Sequence, residues 1–184
     1  MARVAAVVLA AGEASRFGSP KQRLLLPRVL GRLRESPVDE VIVVEGAYEL
    51  EPPSDTVSQE VRVVPCTTWA RGPGASLRCG LAALADDVEA AVVVLADGPN
   101  LSPQAVERVL GEWRAHGGVV AASYDGRRGH PLVLGRADWH GIPDDGLRDR
   151  PVQLVPCDDV GAPGDVDYPE DLPERFRTAS DEPM

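Results

Sequence analysis

Val7–Pro27 reads VVLAAGEASRFGSPKQRLLLP, and the rest of the chain is organised around it. An apolar run from Val4 stops at Gly12. A loop of small residues follows, carrying Arg16 and Lys21, and a second apolar run then resumes. A buried strand running into a glycine-bearing turn with cations at its mouth is a common way for α/β proteins to hold phosphates. Lys21 is the single lysine of the chain, against 18 arginines. Lysine offers a compact point charge that reaches one oxygen, where arginine offers a planar fork. Two familiar phosphate motifs do not fit. Gly12, Gly18 and Lys21 are spaced G-x5-G-x2-K rather than G-x4-G-K-S/T, and no G-x-G-x-x-G follows the strand.

Charge supports the same reading. Met1–Glu35 carries seven cations against two acids, a local +5 in a chain of net charge −10, so the other 149 residues sum to −15. Positive charge gathered around one loop of an acidic protein suits a small anion. Nucleic acid, which favours broad basic faces, is excluded as a partner. With 184 residues, 43% hydrophobic and 26% charged, the composition is that of a soluble globular protein. One domain over residues 1–177 is expected, with 178–184 as a frayed tail. Aromatics are scarce, so valine, leucine and alanine must build the core. Cys66, Cys79 and Cys157 are odd in number, widely spaced and form no C-x-x-C. They argue for a reducing compartment with neither a zinc site nor a disulfide framework. The N-terminal apolar segment is short, carries one arginine and continues into the phosphate loop, unlike a signal peptide. No run approaches the ~20 apolar residues of a membrane span. The cytoplasm is the expected location, with no membrane partner.

Strand-like runs lie at Arg3–Ala10, Glu40–Glu45, Val61–Val64, Ala90–Ala96, Gly118–Ser123, Pro131–Leu134 and Val152–Val155. Helical patterns lie between several of them. Pro27–Glu35 opens with proline, which suits a first helical turn. Gly74–Asp87 spaces Leu77, Leu81 and Leu84 by four and three. Ser102 and Pro103 start a helix that Gly117 and Gly118 end. Pro169–Phe176 closes the chain as a short helix, while Pro52–Thr56 and Pro143–Arg150 read as loops. Valine-rich strands alternating with helices predict a largely parallel sheet covered on both faces. In such a sheet ligands sit beyond the carboxyl ends of the strands. Three segments there carry chemistry. Asp97 follows AAVVVLA, and an acid at the mouth of a buried strand is costly unless it is paired or binds a cation. Gly72, Gly74 and Ser76 lead into a helix whose free N–H groups face the ligand side. Glu45 and Gly46 end the second strand, where an acid or small residue could approach a bound nucleoside, although an ordinary strand-ending glycine is the simpler reading.

The opening stretch resembles the signature L-A-A/G-G-x-S/G-x-R-F/M-G-x-x-K of the MobA-like nucleotidyltransferases. Leu9, Ala10, Ala11, Gly12, Arg16, Phe17, Gly18 and Lys21 match it, and Ala14 departs from it. Further matches are W-x-x-G-x-x-x-S-L-R-x-G-L from Trp69 to Leu81, the GHP of Gly129–Pro131, and GDVDYPEDL from Gly164 to Leu172, where Tyr168 stands in place of threonine. The similarity runs from Val4 to Leu172. It is strongest to the molybdenum-cofactor cytidylyltransferase group.

The resemblance implies a three-layer α/β/α, Rossmann-like fold with a mixed, mostly parallel sheet of the nucleotide-diphosphosugar transferase type. It implies Mg2+-dependent transfer of a nucleoside monophosphate, CMP from CTP, to a phosphorylated acceptor such as molybdopterin, with release of pyrophosphate. A molybdoenzyme or chaperone would receive the product. Arg16 and Lys21 would hold the β and γ oxygens. Leu9, Ala10, Ala11, Gly12 and Gly18 would wrap the nucleotide, with Gly74 and Ser76 near the base. Asp97 would bind Mg2+ together with Asp165 or Asp167. His130 would hydrogen-bond the acceptor phosphate or set its loop. Alanine rather than glycine at Ala11 accompanies cytosine in such enzymes. Guanylyl transfer in deazaflavin cofactor synthesis, transfer to a sugar phosphate, and a nucleotide-binding protein without catalysis are the alternatives.

Overall fold

The structure is a computed structural model of the chain and describes residues 2–13, 21–51, 60–164, 166 and 168–172. Seven strands, β1 (Arg3–Leu9), β2 (Glu40–Glu45), β3 (Glu60–Pro65), β4 (Val88–Leu95), β5 (Val119–Tyr124), β6 (Arg127–Gly135) and β7 (Gln153–Pro156), form one sheet in the order β3-β2-β1-β4-β6-β5-β7. All neighbours pair in parallel except β6, which runs antiparallel to both β4 and β5. The helices are α1 (Lys21–Arg34), α2 (Pro73–Ala82) and α3 (Pro103–His116).

Alternation along the strands explains the layers, since successive side chains point to opposite faces. Val4, Ala6 and Val8 of β1, with Val92 and Val94 of β4, meet Leu26, Val29 and Leu30 of α1 and Val106, Val109 and Leu110 of α3. Ala5 and Val7, with Ile42, Val44 and Val93, face Leu77 and Leu81 of α2. Both faces are therefore covered, as the unbroken valine runs predict. Ser102 caps α3 by accepting from the Ala105 N–H at 3.4 Å, and Pro103 occupies its first turn.

Three expectations need correction. Proline does not open α1: Pro27 lies inside the helix, which already includes Lys21. A proline in a helix interior costs about 3 kcal/mol. Here its ring is on the exposed face, so the Arg23 carbonyl it deprives of a partner lies toward water, while Leu25, Leu26, Val29, Leu30 and Leu33 are buried opposite. The segment expected to close the chain as a helix is a 3-10 turn over Pro169–Asp171. Finally, Cys66 and Cys79 are joined by a disulfide. The end of β3 and the middle of α2 come together with Cα atoms 5.8 Å apart, across a separation of 13 residues that no local motif betrays. Among the described residues no helix is long and apolar enough to cross a membrane.

Candidate active site

The two central strands of the parallel half, β1 and β4, end side by side: the Ala96 N–H donates to the Leu9 carbonyl at 3.1 Å. The chain leaves β1 toward β2 on one side, and β4 lies on the other, so the strand order reverses here. This is where open α/β sheets bind ligands. Asp97 follows β4 at that point, with its side chain one-quarter exposed, and Lys21 enters from the first residue of α1 with its ammonium 2.8 Å from the Asp97 carboxylate. Lys21 Nζ also donates to the Val166 carbonyl. The Val166 N–H in turn donates to the Asp97 carbonyl at 3.2 Å. Lys21, Asp97 and Val166 thus form one knot, drawn from residues far apart in sequence. Of the two alternatives the sequence leaves for Asp97, pairing or a cation, the structure supplies a protein partner.

Gln22, which sequence reasoning missed, is buried beside this knot. Its Nε2 donates to the Gly12 carbonyl at 2.9 Å, fixing the end of the β1 loop, while its Oε1 is buried with no hydrogen-bond partner among the described residues. Adjacency to Lys21 is the only signal the sequence carries for it. Leu9, Ala10, Ala11 and Gly12 run along the mouth of β1. The Ala10 N–H donates to the Val44 carbonyl, and the Ala11 carbonyl accepts from Ala47. A Cβ added at Gly46 would come within 2.8 Å of the Ala11 methyl and 2.6 Å of the Trp69 ring. Gly46 is thus glycine because Ala11 and Trp69 close over it. Arg16, Gly18, Asp165 and Asp167 lie outside the described residues, as do Pro52–Thr56, 173–176 and the 178–184 tail.

The start of α2 is occupied by protein rather than left free. The Gly74 N–H donates to the Asp144 carbonyl at 2.9 Å, and the Ala75 and Ser76 N–H groups donate to Gly72. A Cβ on Gly74 would lie 1.7 Å from the Pro143 carbonyl oxygen. Gly74 is there to let the 142–148 loop approach. That loop is also tied by charge: Arg78 donates to the Ile142 carbonyl and to Asp144, and Arg71 donates to Asp144 at 3.0 Å. The hydrogen bond from Arg78, then that from Arg71, holds the Asp144 carboxyl below its ordinary pKa. Ser76 is buried in the first turns of α2.

Beside the knot lies a cavity of about 690 Å³. Leu9 and Val93–Leu95 form its floor, Pro73 and Leu77 one wall, and Gly98, Pro163 and Gly164 the side next to Asp97. The opposite wall comes from the β5–β6 hairpin and the 145–148 loop, including His130. Burial, then the neighbouring Arg128, pushes the His130 pKa down to about 4, with Asp97 pulling weakly the other way. His130 is therefore neutral at neutral pH. Among the described residues no group of three His, Cys, Asp or Glu side chains could hold a metal. Of the three acids the sequence assigns to a metal, Asp97 is the one among the described residues.

The family profile described as the MobA-like NTP transferase domain matches residues 6–150, from β1 through the 142–148 loop. The chain belongs to the MobA-like NTP transferase family. This MobA-like protein is accordingly a nucleotidyltransferase. Solved structures with the same fold include Rv0371c from Mycobacterium tuberculosis H37Rv, at 26% identity and TM-score 0.74, covering 98% of this chain and 99% of that one. A manganese complex of Rv0371c aligns at 24% identity and TM-score 0.69, over 95% and 97% of the two chains. CMP:2-keto-3-deoxy-manno-octonic acid synthetase complexed with CTP is similar in fold, at 12% identity and TM-score 0.71, over 97% and 99%. No curated protein sequence matches.

Proposed function

We propose that this nucleotidyltransferase transfers CMP from CTP to a phosphorylated small-molecule acceptor of the molybdopterin type, in the cytoplasm, and that a molybdoenzyme or its chaperone receives the product. The observation that carries the reading is the Lys21–Asp97 pair, set at the strand-order reversal beside a cavity that Gly98 helps to line. An oxygen of the acceptor phosphate forms the new bond to the α-phosphorus. The bond from the α-phosphorus to the α,β-bridging oxygen breaks, and pyrophosphate leaves with that oxygen. The attacking phosphate is already largely ionised at neutral pH, with a second pKa of ~6, so no catalytic base is needed. Positioning and charge stabilisation carry the rate.

In this reading Leu9–Gly12 and Gly18 follow the nucleotide, Ser76 lies on its base side, and Arg16 and Lys21 meet the leaving phosphates. Asp97 suits a divalent cation, which takes one or two carboxylates together with phosphate oxygens. Mg2+ is the expected ion, with Asp165 or Asp167 as the second carboxylate, and it would neutralise charge on the phosphates. For Lys21 to serve the phosphates, its ammonium must be shared with, or released from, Asp97 when nucleotide and cation bind. Gly74 acts through the loop it admits. The alanine at Ala11 supports cytosine, its methyl lying where a side chain at Gly46 would collide with it.

Competition between CTP and GTP, followed by pyrophosphate release over a panel of phosphorylated acceptors, tests the proposal. CTP should give the higher kcat/KM. Equal or better use of GTP would replace the cytidylyl reading with the guanylyl one, and no pyrophosphate with any pair would leave a nucleotide-binding protein.

A further inference from the structure

The cavity wall built by the β5–β6 hairpin and the 145–148 loop holds charge that no other described residue answers. Arg128 on β6 is half-buried, and its Nη1 donates to the Leu147 carbonyl at 2.7 Å. Burial lowers its pKa, and among the described residues no acidic neighbour raises it. A guanidinium nevertheless stays charged at any pH at which a protein remains folded. A half-buried cation without a counter-ion bears an uncompensated desolvation cost, which a ligand can relieve. Arg148 lies exposed on the same wall, and among the described residues it makes no hydrogen bond or ion pair. Asp145, also exposed, is the one acid among the lining residues.

The other polar groups of this wall are neutral. His130 carries no charge near neutral pH. The Tyr124 phenol, pushed up to about 12 by burial first, keeps its proton and donates it to the His130 carbonyl at 3.0 Å. The remainder of the cavity is mostly leucine, valine and proline. It combines an apolar body with one cationic end, close enough to Asp97 for that carboxylate to act on His130.

We propose that Arg128, with Arg148 at the rim, is the anchor for the acceptor's phosphate, and that the acceptor is a phosphate monoester carried on an apolar body that fits the leucine and valine walls. This rests on the nucleotidyl-transfer reading above and names the acceptor half of that site. His130 is then an uncharged neighbour that hydrogen-bonds the phosphate, and the two arginines supply the charge. The two assignments differ in sign with pH. With arginine as the cation, binding follows the second ionisation of the ligand, near pH ~6 for a phosphate monoester, and strengthens from pH 5.5 to 7.5. With a histidine cation, binding would weaken over the same range.

Phenyl phosphate, an apolar ring bearing a monoester phosphate, is the probe. It is titrated into the full chain by NMR at pH 5.5, 6.5 and 7.5, with CTP binding measured separately. The expected results are tighter phenyl phosphate binding as pH rises, a loss of about tenfold or more in Arg128→Gln, and about threefold in Arg148→Gln, as befits charge-assisted bonds inside and at the rim of a cavity. CTP affinity should stay within about twofold in both variants. Arg128→Lys keeps the charge and serves if the glutamine variant lacks the wild-type circular dichroism spectrum; it should retain binding within about fivefold. No binding by wild type at millimolar probe, unchanged binding in Arg128→Gln, binding that weakens as pH rises, or an equal loss of CTP binding would each overturn the anchor. Failure of the wild type to bind CTP would instead remove the cytidylyl reading, leaving the phosphate titration to stand or fall by itself.

Discussion

Around the site, the two halves of the sheet treat their charged side chains in opposite ways. In the parallel half, around β1 and β4, the polar groups at the strand ends are bonded to one another: Lys21 to Asp97 and Val166, Gln22 Nε2 to Gly12, Ala10 to Val44. In the mixed half, where β6 turns antiparallel, Arg128 and Arg148 face a cavity with no ion-pair partner among the described residues. The first half is pre-organised, and its substrate must displace or share contacts already made. The second has charge in waiting. A reaction end with fixed geometry and an acceptor end open to its ligand would differ in this manner, because tight internal pairing fixes geometry whereas unanswered charge leaves affinity to the ligand.

The contrast breaks most sharply at Asp97. Asp97→Asn should lower pyrophosphate release by about two to three orders of magnitude, since a carboxylate at the reacting end is exchanged for a neutral amide. It should also destabilise the fold by about 1–3 kcal/mol in urea, because the buried Lys21 ammonium loses its ion pair with Asp97. Full activity at ordinary magnesium concentration would move the reaction centre elsewhere. Lys21→Ala is the next largest test, with turnover expected to fall at least ~tenfold, or about 1.4 kcal/mol of barrier. Unchanged turnover in a folded variant rejects the role given to Lys21.

Gly74→Ala probes the seam between the halves. The new methyl meets the Pro143 carbonyl, so the loop must shift at a cost of about 1–3 kcal/mol. The melting temperature should drop, and KM for the acceptor should rise more than KM for CTP. Equal rises in both would separate the loop from the acceptor side. The smallest effect concerns His130. Its pKa is about 4 in the folded chain, against ~6.5 unfolded, so the unfolded state takes up the proton first as pH falls. Its contribution to stability is present above pH ~6.5 and is lost on acidification toward pH 4. Urea midpoints of His130→Gln should therefore fall less between pH 6.5 and 4.5 than those of wild type; parallel curves would show that burial of His130 is not what shifts it.

The strands and both core faces were legible because valine runs and leucine spacings record burial directly. Lys21 and Asp97 were legible as chemistry, one by its uniqueness and one by its place after a buried strand, but their pairing was not, since 76 residues separate them. Pro27 misled because the local preference of proline for a first turn lost to the burial of the leucines behind it. The disulfide, the part played by Gly74 and the position of Arg128 depend on which loop lies against which helix. Such contacts leave no period in the sequence. Gln22 was hidden for a different reason: a glutamine in a helix is ordinary until its surroundings are seen.

The seam at Gly74 has a consequence for anyone wishing to redesign the enzyme. Arg71 and Arg78 grip Asp144, Gly74 admits the Pro143–Gly146 backbone, and Leu147 meets Arg128. Residues 69–82 and 142–148 are therefore a single exchangeable module despite lying 60 residues apart in the chain. A loop grafted from a relative without its matching helix would arrive with nothing to grip it, whereas the two transplanted together would carry their own fastening.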